Sequence, residues 1–185
     1  MQLPYSEELN IEYLGRLFDN TSECYKFFWF KAIMTKVAEG KQNISYEELV
    51  DEMIADAWYM VTEYHLNLGP KDTLESVVHL VKEKYPALRS CEKKSVILQL
   101  LATIEDREIL SKKRVLTYNV PYRLQAPFMP ELRGDGWNVS EKALAAKINQ
   151  QKRLMYYFTA INGLATAITI DEAWFAYLTR NQEII

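Results

Sequence analysis

Ser45-Tyr46-Glu47-Glu48-Leu49-Val50-Asp51-Glu52-Met53-Ile54-Ala55-Asp56-Ala57-Trp58-Tyr59-Met60-Val61-Thr62-Glu63-Tyr64-His65 opens with a helix-capping signature and runs on without a breaker. The Ser45 side chain can accept from the third helical N–H while Glu48 returns a bond to the Ser45 N–H, which satisfies two otherwise orphaned donors. Leu49, Met53, Ala57, Met60 and Tyr64 then recur on one side, which predicts a helix to about His65. Upstream, Thr21 or Ser22 is placed to cap a helix ending near Ala38, with Gly40 as its stop. Tyr25, Phe27, Phe28, Trp29, Phe30, Ile33, Met34 and Val37 make that helix apolar nearly all round, so it is expected to be the central one. Ile11, Leu14 and Phe18 predict a further helix over 10–18.

Downstream, Gly69-Pro70 breaks the chain, and Asp72-Thr73-Leu74-Glu75 repeats the capping logic for a helix to about Tyr85, ended by Pro86. Two more helices are predicted, from Lys93 to Ile104 with Val96, Ile97, Leu100, Leu101 and Ile104 inward, and from about Asp106 to Leu116. Residues 117–138 break the period with Pro121, Pro127, Pro130, Gly134 and Gly136, yet carry Tyr118, Tyr122, Phe128 and Trp137. So many aromatics favour an ordered loop over a flexible linker. Asn138-Val139-Ser140-Glu141 caps a helix to about Lys152. Tyr156–Ile161 and Leu164–Ile170 flank Asn162-Gly163, a turn pair that predicts a β-hairpin, and Asp171 caps a last helix with Trp174, Tyr177 and Leu178 inward. The expected fold is mainly α: an irregular multi-helix bundle with one small β-hairpin near the C-terminus. Residues 1–117 form the bundle, 118–137 the ordered loop, and 138–185 the remainder packed on it, together one compact domain.

The 185 residues are 49% apolar and 25% charged, with 4 Trp, 12 Tyr, 7 Phe and only 6 Gly and 6 Pro. That balance excludes collagen-like, low-complexity and disordered classes. Cys24 and Cys91 are far apart, too few for a metal site, and are expected to be buried free thiols. No basic n-region with an apolar stretch opens the chain and no run reaches the ~20 apolar residues of a membrane span, so a reducing cytoplasm and no membrane are expected.

Charge is polarised. Arg107, Lys112, Lys113, Arg114, Arg123, Arg133, Lys142, Lys147, Lys152 and Arg153 face only Glu108, Glu131, Asp135 and Glu141 over residues 107–153, a balance of +6. With −3 for the whole chain and −2 over residues 154–185, residues 1–106 hold −7. Such asymmetry suits a polyanion-binding face, with Arg114, Arg123, Arg133, Lys147, Lys152 and Arg153 as the candidate contacts; helices that merely carry solvated charge account for it as well.

Other chemistry is sparse. Glu75, His79 and Glu83 lie four apart along one helix, a pattern able to hold a metal, but a solvated face is the expected state. His65 suits the negative end of its helix dipole. Glu52 and Asp56, beside Trp58 and Tyr59, are a carboxylate pair that a routine acidic helix face explains. No nucleophile elbow, P-loop, dinucleotide fingerprint or His-Glu-x-x-His is present. No catalytic residue and no metal is therefore assigned.

Four phrases carry a resemblance. Cys24-Tyr25-Lys26-Phe27-Phe28-Trp29-Phe30-Lys31-Ala32-Ile33, the stretch from Ile44 to Gly69, Val120-Pro121-Tyr122-Arg123-Leu124-Gln125-Ala126-Pro127-Phe128, and Tyr156-Tyr157-Phe158 with Trp174-Phe175-Ala176-Tyr177-Leu178 resemble, in order, a group of bacterial HNH-endonuclease proteins. The resemblance implies a helical N-terminal region followed by a ββα nuclease unit in which a His activates water beside a divalent metal. This sequence has no Cys-x-x-Cys knuckle and no nuclease Asp-His pair, so the 185 residues correspond to the accessory helical part, and any divalent metal would belong to the HNH unit. Two functions are then expected as alternatives: a nucleic-acid-associated module, with DNA as partner, that positions DNA or regulates the nuclease; or a protein-interaction module that meets a C-terminal HNH domain or another protein through its acidic part.

Overall fold

The computed structural model describes residues 3–19, 24–69, 72–130 and 138–185. Helices dominate: α1 (Ile11–Gly15), α2 (Tyr25–Ala38), α3 (Tyr46–Thr62), α4 (Thr73–Lys84), α5 (Lys94–Leu101), α6 (Arg107–Val115), α7 (Val120–Arg123), α8 (Glu141–Asn149) and α9 (Glu172–Arg180). Their starts follow the capping signals. Ser45 and Glu48 form the full capping box, and the Asp72, Asp106, Ser140 and Asp171 side chains each accept from first-turn N–H groups. Thr21 and Ser22 lie outside the described residues; α2 begins after Cys24, which makes no side-chain cap. No described helix is long and apolar enough to cross a membrane.

The expected central helix is displaced by its neighbour. α2 is open on one side, where Phe27 is half exposed, whereas α3 packs against α2, α4 and α5 and buries residues around its whole circumference. Within α5, Ile97 and Leu101 point inward, but Val96 is exposed.

The β structure is a three-stranded antiparallel sheet in the order β1-β3-β2. β2 (Tyr156–Phe158) pairs β3 (Ala167–Ile170) as the hairpin reading predicts, with Phe158 opposite Ile168. The connection is not a tight Asn-Gly turn: Asn162 keeps φ −146°, only Gly163 is left-handed at +58°, and a 3-10 turn covers Gly163–Ala165. β1 (Asn43–Ser45), with no counterpart in the sequence reading, adds to the other side of β3 and sets Ile44 opposite Ile168. Tyr46, the first residue of α3, is fully buried between Trp29 and Phe158, with edge-on ring contacts at 5.5 and 6.5 Å. Buried apolar residues from Leu9 to Leu178 form one cluster. The segment expected as an ordered loop contains α7 and a 3-10 turn over Ala126–Phe128, with Tyr122 and Met129 buried; residues 131–137 lie outside the described residues.

Candidate nucleic-acid interface

The acidic half of the chain is partly neutralised inside the fold. Glu52 and Asp56, expected on a solvated face, and their neighbour Asp51 all have buried side chains on α3. Asp51 Oδ1 meets Lys113 Nζ of α6 at 2.6 Å, and Lys113, fully buried, also donates to the Leu101 carbonyl at 3.3 Å. Glu52 is held between Lys36 and Lys94, each at 2.6 Å; Asp56 is 2.8 Å from Lys94 and 3.3 Å from Lys31. Burial pushes the Asp51 carboxyl up to about 6 against the pull of Lys113. Burial would push Glu52 up too, but hydrogen bonds from Lys36 and Lys94 outweigh it and hold Glu52 below the ordinary range. A readable signal exists: these acids alternate with Leu49, Val50, Met53, Ile54, Ala57 and Trp58, so no face of α3 is free of apolar residues.

The basic segment is thereby sorted. Lys113 is committed to Asp51. Lys112 Nζ donates to Ser76 Oγ at 2.8 Å. Arg114 Nη2 lies 2.6 Å from Glu141 Oε2, and its guanidinium sits 5.3 Å from the Tyr118 ring centre, so this candidate ties α6 to α8. Arg133 lies outside the described residues.

The remaining candidates gather on and after α8. Leu144, Ala145 and Ile148 are buried against the sheet side, leaving Lys142, Ala143, Ala146 and Lys147 on the outer face. Lys152 and Arg153 are exposed in the turn that follows. Arg153 is left-handed, φ +63°, and the Trp174 indole N–H donates to its carbonyl at 3.4 Å. Lys142, Lys147, Lys152 and Arg153 make no ion pair among the described residues. α8 is nine residues long, about 13 Å at 1.5 Å per residue. Arg123, exposed at the end of α7, shares a cleft with Glu141 and Leu144 at the other end of α8. Nearby Lys26 is lowered by burial and then by the Arg123 charge, so two cations approach each other there.

A second concavity, a groove of about 500 Å³, runs between α4 and α6. The row Glu75, His79 and Glu83 lies along its wall, with His79 and Glu83 exposed to solvent as expected and Glu75 half-buried. Its groups are largely engaged with the fold: Glu75 accepts from the Leu68 N–H at 2.8 Å, Glu108 pairs with Lys84 at 2.8 Å, and His79 Nε2 is 3.8 Å from Glu75 Oε1. Among the described residues no group of His, Cys, Asp or Glu side chains is arranged to hold a metal ion. The groove's acidic excess repels phosphate. His65 lies beyond the end of α3, exposed, at φ +51°. Cys91 is exposed rather than buried, and Cys24 is half-buried with its thiol donating to Asp72 at 3.3 Å.

No protein-family model, curated protein or solved structure matches this chain.

Proposed function

We propose that this chain is a nucleic-acid-binding helical module whose phosphate-contacting surface is the outer face of α8 and the turn after it, formed by Lys142, Lys147, Lys152 and Arg153, with Arg123 at the far end. The observation that carries the reading is that these four cations have no acidic partner among the described residues, while Lys113, Lys36 and Lys94 are taken up by buried carboxylates. Lys142 and Lys147 stand about 7.5 Å apart along the α8 axis, about two steps of a backbone whose phosphates advance about 3.4 Å each along one strand. The resemblance to the N-terminal region of bacterial HNH endonucleases supports the same reading: the module positions DNA or regulates a nuclease whose metal and catalytic residues belong to its own HNH unit. Two free thiols suit a reducing, cytoplasmic setting.

The test is fluorescence anisotropy with a labelled duplex, comparing the wild type with Lys147→Ala/Lys152→Ala/Arg153→Ala. Four phosphate contacts make affinity fall about 100-fold between about 50 and 200 mM salt, and the triple substitution flattens that slope. One feature favours a protein-interaction module instead: Tyr59 in the last turn of α3 and Tyr64 and Leu66 just past its end are exposed together, the two rings edge-on at 5.1 Å. Binding of neither duplex nor single strand at low salt would leave that second reading standing.

A further inference from the structure

Where α6 turns into α7 and meets the start of α8, a cleft of about 60 Å³ lies between Tyr118, Tyr122 and Arg123 on one side and Val139, Glu141 and Leu144 on the other. Its rim is apolar and open: Tyr118 is 46% exposed and Val139 38%. Its floor is polar and buried. Tyr122 is 1% exposed, and neither its hydroxyl nor Glu141 Oε1 has a hydrogen-bond partner among the described residues. The Tyr46 hydroxyl is close enough to influence that of Tyr122, but the two are not in full hydrogen-bonding geometry. Buried polar groups of this kind call for a partner, and the cleft that Tyr122 and Glu141 line is the side from which one would approach them.

The Tyr118 ring is pre-ordered. Arg114 sits against it at 5.3 Å and is itself fixed by Glu141 Oε2 at 2.6 Å. The cleft is too small for a whole nucleobase but has room for the edge of one.

We propose that this cleft receives the edge of an unpaired nucleobase carrying an exocyclic amino group, which stacks on Tyr118 and donates to Glu141 Oε1, so that the ligand of the module is single-stranded nucleic acid. The proposal rests on the reading of α8 as a phosphate surface, and Arg123 at the rim meets the neighbouring phosphate. A duplex cannot supply this contact, because its bases are stacked and their amino groups paired, whereas an unpaired base offers both face and edge. A carboxylate accepts from the cytosine amino group; thymine and uracil present a carbonyl at the same position and are repelled.

The experiment measures anisotropy of the full chain with labelled deoxycytidine and thymidine oligomers and with a duplex of the same length, at one low salt concentration. The cytidine oligomer is expected to bind at least about five-fold more tightly than the thymidine oligomer, a difference that Glu141→Gln, whose amide can also donate to a carbonyl, reduces. Tyr118→Ala is expected to weaken the cytidine oligomer about 5- to 150-fold and to leave the duplex unchanged, which a merely unfolded variant would not do. If the two oligomers bind alike and Tyr118→Ala changes neither, the cleft proposal is overturned while the phosphate surface stands. If neither single strand nor duplex binds, or if the triple substitution on and after α8 is silent, the phosphate surface fails and the cleft proposal with it.

Discussion

Asn149 donates to the Phe158 carbonyl at 2.7 Å and accepts from the Phe158 N–H at 2.8 Å, so one side-chain amide stands in for a neighbouring strand at the outer edge of β2. Gln125 does the same for Tyr156, at 2.9 and 3.0 Å. The two amides close an edge that would otherwise offer unpaired groups to another chain, and the first of them fixes α8, with its lysines, against the sheet.

Gln125 is fully buried, so Gln125→Leu, which keeps bulk, leaves two buried backbone groups of Tyr156 unpaired. The expected loss is roughly 2–4 kcal/mol in urea unfolding, against about 1–2 kcal/mol for Asn149→Ala, where water can replace the amide. Equal, negligible losses at both sites would show that the edge needs no such partner.

Lys113→Met removes the buried cation facing Asp51 and is expected to cost about 3–5 kcal/mol at neutral pH. Adding Asp51→Leu should recover most of that, because an apolar pair needs no desolvation of charge. The double-mutant cycle decides it: a double variant whose loss equals the sum of the losses of Lys113→Met and Asp51→Leu would mean the pair is uncoupled.

Stability should respond to acid in two opposed steps. Asp51, raised to about 6 from 3.8, binds its proton more readily in the fold than in the unfolded chain. Its contribution is therefore present at low pH and lost as pH rises through about 6. Glu52 and Glu48 are lowered from 4.5, so theirs is present above that value and lost as pH falls below it. Denaturation midpoints should thus hold or rise slightly on acidification towards pH 5, about midway between these values, and drop once below 4.5. A steady decline from neutrality downward, or a rise that survives Asp51→Asn, would contradict the assignment.

Thiol titration of the native protein should show one fast and one slow cysteine. Cys91 is exposed, whereas Cys24 is half-buried and hydrogen-bonded to Asp72. Cys91→Ser is expected to abolish the fast phase, and its persistence would place Cys24 at the surface instead.

Helix starts were legible because capping is a local event: Ser45, Asp72, Asp106, Ser140 and Asp171 each bond N–H groups two or three residues away. β1 was not, since three residues carry no periodicity and its pairing depends on a strand near the other end of the chain. The Asn162-Gly163 pair names a tight turn, yet the flanking strands stop early and the chain between them curls into a 3-10 turn. Charge misled at α3. The acids there read as solvated because their lysines come from α2, α5 and α6, which meet only in the folded protein. The same lysines explain the candidate surface: the total of basic residues was visible in the sequence, but which of them stay unpaired was not.

The position of β1 also bears on how the protein comes to be folded. Asn43 Nδ2 donates to Thr169 Oγ1 across 126 residues, and Ile44 finds its neighbour Ile168 at nearly the same remove. As the polypeptide leaves the ribosome, α2 and α3 are out long before β3 exists, so the strand between them waits with an open edge and an apolar side chain in water. Closing that loop brings an entropic cost before any sheet contact offsets it, which makes it the natural slow event of maturation. A nascent chain stalled short of β3 therefore carries a sticky edge and is a natural client for chaperones.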